Sequence, residues 1–228
     1  MTTLLLATRN AHKVKEIQAI LGGSFQYLTL NDFLSAPITV EDAESFVGNA
    51  TKKSVTLANW ISEIPNSKFS SSNFFVLADD SGLEVEALNG APGIYSARFA
   101  AASENENATD AENNKKLLRL LENVPPGKRA ACFRCALALM PVLKTDFNNQ
   151  STACSANEAE LRPKIFEGIC EGTIAFAPSG HGGFGYDSLF VPDGFSKSFA
   201  ALKEEEKNRI SHRARALEKV RAYFSEIK

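Results

Sequence analysis

Residues 8–13 place short polar side chains and a lysine between an apolar run and a helical pattern. A helix N-terminus offers unpaired N–H groups and partial positive charge, which favour an anion. Lys13 would add a full charge there, and Thr8 and Asn10 would add hydrogen-bonding side chains. These residues predict a phosphate-binding turn, although the glycines of a P-loop are missing. The alternative is an ordinary polar turn with a solvated lysine.

Asp79-Asp80-Ser81-Gly82 follows the apolar run at residues 74–78. Charge beside an apolar strand is unfavourable unless it has a partner or a function. If the strand continues, neighbouring side chains point to opposite faces, so one carboxylate would act and the other would support it. Carboxylate oxygens suit Mg²⁺, and Glu41, Asp42 and Glu44 are further candidates to share the ion. The alternatives are a simple acidic turn and an exposed helix start.

Residues 180–194 form a glycine-rich stretch that contains aromatic residues. Its glycines superficially resemble a dinucleotide-binding fingerprint, but the following residues 188–192 are strand-like, and no helix opens there. Glycines let a backbone approach a ligand closely, and Phe184 or Tyr186 could stack on a base. The alternative is a mobile loop or a pair of buried aromatic rings.

Ser211-His212-Arg213 starts the last helical pattern, with Lys207 one helical turn earlier. Histidine and arginine donors at a helix start could bind carbonyl oxygens or phosphates. The alternative is a solvated helix face. The three histidines suggest no Ser/His/Asp arrangement, so covalent catalysis is not favoured.

The hydrophobic pattern predicts the elements that must position these groups. Strands are predicted at residues 3–8, 25–30, 74–78, 83–88, 130–143 and 164–177. One helix is predicted for a segment carrying Val14, Ile17, Ile20 and Leu21, and a second for residues 44–61. A third is predicted from about Asp110, behind a capping box of Thr109 and Glu112. A fourth is predicted after Ser211, with Leu217, Val220, Phe224 and Ile227 facing inward. Polar segments at 66–73 and 144–162 are predicted to be a loop and a hairpin tip. The pattern is typical of an α/β protein with a mixed sheet.

The composition indicates a globular protein, and its length fits one large domain or two closely joined lobes, of which we expect a single domain over residues 1–228. With 228 residues, of which 44% are hydrophobic, the chain can bury a core without disulfides or metals. The net charge of −2 gives no global reason to bind nucleic acid or an anionic membrane. The longest apolar stretch is too short to span a membrane, and the N-terminus has no secretory pattern, so we expect a cytoplasmic protein.

The four cysteines, Cys132, Cys135, Cys154 and Cys170, are too few and scattered for a disulfide framework. Cys132 and Cys135 form a C-x-x-C pair within a predicted strand. Positions i and i+3 of a strand point to opposite faces, so buried thiols are favoured over a metal or redox site.

Five motifs in this order resemble the inosine triphosphate pyrophosphatase family, whose members are also called dITP/XTP pyrophosphatases. They are Thr8-x-Asn10-x-x-Lys13, Ala78-Asp79-Asp80-Ser81-Gly82-Leu83, Gly90-Ala91-Pro92-Gly93-x-Tyr95-Ser96-Ala97-Arg98, Gly182-Gly183-Phe184-Gly185-Tyr186-Asp187 and Ser211-His212-Arg213. The resemblance runs from the first strand to the last helix. Two positions depart from the family pattern: Gly48 stands where many relatives have glutamate, and Ala43 where many have glycine.

The resemblance implies Mg²⁺-dependent hydrolysis of ITP, dITP and XTP to the monophosphate and pyrophosphate by a homodimer. It implies an elongated, twisted mixed sheet flanked by helices, with two lobes and a central cleft. Asp80 would be the catalytic base and a metal ligand, and Glu41 would help to bind Mg²⁺. The residues that would bind the substrate are Thr8, Arg9, Asn10, Lys13, Lys53, Ser81, Phe184, Gly185, Tyr186, Asp187, Lys207, His212 and Arg213.

Two other functions stay open from the sequence. One is a nucleotide-sensing or nucleic-acid-binding protein that uses the phosphate-binding turn without turnover. Against it stand the near-neutral charge and the Asp79-Asp80 pair, which would repel a nucleic-acid backbone. The other is a related pyrophosphatase that acts on modified pyrimidine nucleotides.

Overall fold

A computed structural model of the chain describes residues 1–64, 73–103, 106–142 and 162–227. The predicted loop at 66–73 and hairpin tip at 144–162 lie almost entirely outside the described residues, as does Cys154. All other predicted elements can be compared with the structure.

The described residues form one mixed sheet with helices. The strands are β1 (Thr2–Leu6), β2 (Phe25–Thr29), β3 (Phe74–Val85), β4 (Ala130–Pro141), β5 (Lys164–Ile174) and β6 (Phe190–Pro192). The helices are α1 (Ala11–Leu21), α2 (Phe46–Ser62), α3 (Asp110–Leu120), α4 (Glu204–Ile210) and α5 (His212–Glu226). The strand order is β2-β1-β3-β4-β5-β6. Because β1 pairs in parallel with β2 and β3 while β5 and β6 are antiparallel, the predicted mixed α/β class is confirmed.

Local sequence signals explain where the predicted helices begin and end. Asn10 caps α1, Ser45 caps α2, and the side chain of Ser211 caps α5 by accepting a hydrogen bond from Ala214 N. Thr109 and Glu112 form the predicted capping box at the start of α3. Gly22, with φ of 74°, ends α1 in a conformation that favours glycine.

The structure differs from the predicted elements at three places. The run at 74–78 does not stop at Asp79, because β3 continues as one strand of 12 residues through both aspartates. Helix α4 was not predicted, although Glu204, Glu205 and Glu206 in its first turn favour the positive end of a helix dipole. Ile227 is 53% exposed, because α5 ends one residue before it.

The chain divides into two compact units. The first consists of Met1–Asp80 and Ala136–Phe166, and the second of Ser81–Cys135 and Glu167–Lys228. The division falls within β3, within β4 and within β5, so each of these strands contributes residues to both units. The single domain, the two lobes and the cleft stay predictions.

Each unit has its own buried apolar residues. In the first unit, β1, α1, α2 and β3 each contribute buried apolar side chains, among them Leu5, Ile17, Ile61 and Val76. In the second unit, one cluster joins residues of β3, α3, β4, β5, β6 and the segment before α4; its members include Leu83, Leu117, Phe133, Cys170, Phe190 and Phe199. Cys135 and Cys170 are buried, as expected, whereas Cys132 is only partly buried. No described helix is both long enough and apolar enough to cross a membrane.

Arg129 is a buried charged residue that holds two backbone segments of the second unit. It is 2% exposed, and its guanidinium donates to the carbonyls of Val124 at 3.0 Å, Ala175 at 3.1 Å and Leu121 at 2.6 Å. These carbonyls belong to the end of the α3 segment and to the segment after β5. Arg129 therefore supplies donors to backbone carbonyls that lie just beyond the ends of α3 and β5.

We expect Arg129→Met to lower the free energy of unfolding by about 3 kcal/mol, because it leaves buried carbonyls without donors. Urea unfolding followed by circular dichroism measures this loss. Arg119→Met, on the exposed face of α3, is the matched control and should change the value by less than about 0.5 kcal/mol. Equal effects of the two substitutions would contradict the role given to Arg129.

Candidate functional site

The turn before α1 is held by its own polar side chains. Asn10 Oδ1 accepts hydrogen bonds from the backbone N–H of His12 at 2.9 Å and of Lys13 at 3.1 Å. Thr8 Oγ1 accepts from Asn10 N at 3.1 Å, and Arg9 is exposed. Thr8 and Asn10 therefore shape the predicted phosphate-binding turn, and their contact with phosphate stays a prediction.

Lys13 reaches from α1 to the first aspartate of β3. Its Nζ lies 2.5 Å from Asp79 Oδ1, and the Asp79 side chain is 1% exposed. A buried carboxylate without a partner would be strongly unfavourable, so Lys13 makes the charge at Asp79 tolerable. Sequence reasoning gave Asp79 only a supporting role and did not include it among the site residues.

Lys53 brings the two predicted metal ligands together. Its Nζ lies 2.9 Å from Asp80 Oδ1 and 2.9 Å from Glu41 Oε2. It also donates to the backbone carbonyl of Asp79 at 3.3 Å. The carboxylates of a loop residue and a strand residue therefore converge on one ammonium group carried by α2.

Asn49 is a site residue that sequence reasoning missed. It is fully buried, its Nδ2 donates to Asp80 Oδ2 at 3.3 Å, and its Oδ1 accepts from Ala43 N at 3.0 Å. Asn49 thus holds the second oxygen of Asp80 while Lys53 holds the first. The signal in the sequence was an amide on the apolar face of a helix, between Phe46 and Ala50, where an unpaired polar group is costly.

The surroundings of these groups shift their protonation equilibria. Burial raises the pKa of Asp80, the nearby Glu41 carboxylate adds to this, and the charges of Lys53 and Lys13 only partly offset it. Burial also opposes ionisation of Glu41, but Lys53 and Lys13 outweigh it and lower the pKa of that carboxyl. Burial likewise opposes the charge on Lys53, yet Asp80 and Glu41 raise its pKa. The pKa values of the two carboxyls therefore shift in opposite directions, upward for Asp80 and downward for Glu41.

Asp80 and Glu41 have the donor chemistry that Mg²⁺ requires. Their carboxylate oxygens already meet at one cation, the Lys53 ammonium. The described part of the chain holds no cluster of three or more His, Cys, Asp and Glu residues that could bind a metal ion. Mg²⁺ is commonly bound by one or two carboxylates, with waters and substrate phosphates as its other ligands, so this pair fits the ion.

The two departures from the family pattern are linked in space. A Cβ atom added at Gly48 would lie 2.7 Å from the Cβ of Ala43 and 3.1 Å from Ser45 Oγ. A side chain at residue 48 therefore does not fit while alanine occupies residue 43. The absence of the glutamate and the presence of the alanine are one structural feature of this chain.

The second unit holds a buried ion pair beside an aromatic ring. Lys207 Nζ lies 2.6 Å from Asp187 Oδ2, and both side chains are at most 6% exposed. Asp187 Oδ2 also accepts a hydrogen bond from Phe184 N at 2.8 Å. The Lys207 ammonium lies 5.1 Å from the centroid of the Phe184 ring. Helix α4 therefore supplies the cation that fixes the residues around Phe184.

The start of α5 places its two predicted donors in the same unit. Arg213 is 1% exposed, donates to Ser81 Oγ at 2.8 Å and has its guanidinium 5.7 Å from the Phe184 centroid. The His212 ring stacks on Phe133, with centroids 4.7 Å apart and planes 11° apart. These residues are buried, so the expected alternative of a solvated helix face was wrong.

Tyr186 and Phe184 have different surroundings. Tyr186 is 3% exposed and donates from its hydroxyl to Ser96 O at 2.9 Å, and burial raises its pKa. Phe184 is only partly buried. Of the two rings that could stack on a base, Phe184 is the one that keeps an accessible surface.

The predicted site residues fall into two sets. The first unit contains Thr8, Arg9, Asn10, Lys13, Glu41, Lys53 and Asp80, and the second contains Ser81, Phe184, Gly185, Tyr186, Asp187, Lys207, His212 and Arg213. The first set has carboxylates, lysines and a helix N-terminus, which suit phosphates and a metal ion. The second has an aromatic ring and hydrogen-bond donors, which suit a heterocyclic base. Asp80 and Ser81, which are adjacent in β3, join the two sets along the chain.

Lys52 and Lys53 form a natural comparison, because Lys52 pairs with the exposed Asp42 while Lys53 pairs with the buried Asp80. We expect Lys53→Met to lower the free energy of unfolding by about 3 kcal/mol, since Asp80 would keep a buried charge without its cation. Lys52→Met should change it by less than about 0.5 kcal/mol. Urea titrations at pH 7 measure both values, and a smaller effect for Lys53 than for Lys52 would contradict this electrostatic account.

Known proteins are similar to this chain over almost its whole length. Residues 4–223 match the Ham1 family. A dITP/XTP pyrophosphatase of Geobacter sulfurreducens is 44% identical over 218 residues, which cover 95% of this chain and 94% of that protein. Another from Clostridium perfringens is 44% identical over 222 residues, with coverages of 97% and 96%. The solved structure of a HAM1 protein from Coxiella burnetii is 36% identical, with a TM-score of 0.75, over 99% of this chain and 100% of that one. Sequence and fold together therefore establish that the chain belongs to the Ham1 family.

Proposed function

We propose that the protein hydrolyses the non-canonical purine nucleoside triphosphates ITP, dITP and XTP to the monophosphate and pyrophosphate. The observation that carries this function is the buried Asp80 carboxylate, held by Lys53 and Asn49 beside Glu41. The dITP/XTP pyrophosphatase names of the relatives support the substrate class. A nucleotide sensor would not need a buried carboxylate with a raised pKa, so hydrolysis is favoured over binding alone.

The reaction is an attack of water on the α-phosphorus. Asp80 accepts a proton from the water, the new P–O bond forms, and the bond between the α-phosphorus and the bridging oxygen breaks. That oxygen leaves with the pyrophosphate. The raised pKa of Asp80 makes it a better proton acceptor than an ordinary carboxylate.

Lys13 and Lys53 lie beside the two aspartates and would stabilise the negative charge of the phosphate oxygens. Asp80 and Glu41 would hold Mg²⁺, which supplies further charge neutralisation when bound. The N–H groups of the turn before α1, together with Thr8, Arg9 and Asn10, would orient the triphosphate.

Selectivity for the base would come from the second unit. Phe184 offers a ring on which a purine can stack, and Lys207 and Arg213 place cationic donors 5.1 and 5.7 Å from its centroid. Hypoxanthine and xanthine present an oxygen at position 6, whereas adenine presents an amino group. Arg213 and His212 would donate to the oxygen but would face a second donor in adenine, which costs about 1–3 kcal/mol for each unpaired group.

A homodimer and a cytoplasmic location belong to the same proposal, as does the absence of nucleic-acid and membrane partners. The dimer rests on the resemblance to the inosine triphosphate pyrophosphatase family, and the absence of a nucleic-acid partner rests on the near-neutral net charge. Sedimentation velocity of the purified protein measures its oligomeric state.

A substrate panel tests the activity. Pyrophosphate release is measured with ITP, dITP, XTP, GTP, ATP and modified pyrimidine triphosphates, each with Mg²⁺ and with a chelator. We expect pyrophosphate release from ITP, dITP and XTP, and only with Mg²⁺. Preferred cleavage of a pyrimidine triphosphate would instead favour a pyrophosphatase for modified pyrimidine nucleotides. Nucleotide binding without any pyrophosphate release would favour a sensor.

We expect Asp80→Asn to lower kcat on ITP at least about 100-fold, because the amide cannot accept the proton. Fold and nucleotide binding should persist, as circular dichroism and calorimetry with ITP can show. Asp42→Asn removes an exposed carboxylate near the same segment and is the matched control. If Asp80→Asn kept a tenth of the activity, the role as base would be wrong.

We expect Arg213→Ala to lower kcat/KM for ITP at least about 10-fold and to affect the slow cleavage of ATP less, because Arg213 distinguishes the 6-oxo group. Steady-state kinetics on both nucleotides measure the two losses. Arg209→Ala, which removes an exposed arginine of α4, serves as the control. Equal losses on ITP and ATP would contradict recognition of the base by Arg213.

A further inference from the structure

Helix α3 holds the peptide groups of Gly185, the residue that follows Phe184. Gly185 N donates to Asp110 Oδ2 at 2.6 Å, and Gly185 O accepts from Asn114 Nδ2 at 2.9 Å. Asp110 and Asn114 are four residues apart, so they share one face of the helix. Both hydrogen-bonding groups of one loop residue are therefore fixed by a single helix, and we call Asp110 and Asn114 the α3 clamp.

The loop needs this clamp because its own backbone has little conformational preference. Gly183 and Gly185, on either side of Phe184, have φ of 72° and 62°. Glycine reaches such angles without strain, but it also reaches many others, so external contacts must select the conformation. Asp187 anchors Phe184 through two bonds, from Phe184 N to Asp187 Oδ2 and from Asp187 N to Phe184 O, and the α3 clamp anchors Gly185 through two more.

Empty space beside the loop gives it somewhere to move. A cavity of about 530 Å³ is lined by both clamp residues and by Phe184 and Gly185. Without the clamp, the Phe184 segment has room to shift into this cavity. The two hydrogen bonds of the clamp therefore help to set the position of the ring, together with Asp187 and Lys207.

Stabilisation of the helix does not explain both side chains. Thr109 and Glu112 already form the capping box, with Glu112 Oε2 2.9 Å from Thr109 N. Asn114 lies beyond the first turn, where asparagine is a poor helix former. Its amide is instead directed to the loop.

We propose that Asp110 and Asn114 are positioning residues that set the Phe184 ring for stacking on the purine base. This inference rests on the proposed function, since it assigns Phe184 to the base. The clamp acts on the base half of the substrate and leaves the phosphate half unchanged. Loss of the clamp should therefore weaken binding of IMP without weakening binding of pyrophosphate.

The experiment compares Asn114→Leu, Asp110→Ala and Asp110→Asn. Asn114→Leu and Asp110→Ala should each raise KM for ITP and Ki for IMP about 5- to 10-fold, with kcat changed less than about 2-fold. Asp110→Asn keeps an acceptor oxygen and should restore most of the affinity. Ki for pyrophosphate should stay within about 2-fold of the unsubstituted protein in every variant. Lys115→Ala, at an exposed residue between the two clamp positions, is the matched control.

A double-mutant cycle with Phe184→Ala separates positioning from a general structural effect. If the clamp acts through the ring, Asn114→Leu should have little further effect on KM once Phe184 is removed. Full additivity of the two substitutions, or equal weakening of IMP and pyrophosphate binding, would overturn the inference. Failure of the unsubstituted protein to cleave ITP would instead overturn the proposed function, and that measurement does not depend on the clamp.

Discussion

Two adjacent carboxylates in the middle of a buried strand are the constraint on which the rest of the site depends. Asp79 and Asp80 stay within β3 because each has its own lysine, Lys13 from α1 and Lys53 from α2. A carboxylate without a partner there would lose several kcal/mol of solvation free energy. That loss is comparable with the whole free energy of unfolding of a small protein. The positions of both helices relative to β3 are therefore set in part by charge pairing.

The sequence allowed prediction of much of this arrangement, because its signals are local. The helix caps, the apolar periodicity and the glycine motifs each act over a few residues, and α1, α2, α3 and α5 formed where they were expected. The family resemblance was confirmed as well. The continuity of β3 was not predicted, since it depends on Lys13 and Lys53, which are distant along the chain.

The residues that were not predicted from the sequence were missed for one common reason. Asn49, Asp110 and Asn114 act through hydrogen bonds to residues far away in sequence, and nothing in their own neighbourhood shows the partner. The role of such a polar side chain is recognisable only when the fold brings its hydrogen-bond partner within reach. The roles of individual residues in substrate binding stay predictions for the same reason, because a substrate contacts residues from several distant segments of the chain.

The contact between residues 43 and 48 limits how this sequence can change. The methyl group of Ala43 fills the space that a Cβ atom at Gly48 would need. A side chain at position 48 needs this methyl group to be absent or displaced. Substitutions at the two positions are therefore coupled, and the size of residue 43 decides how easily residue 48 can carry a side chain.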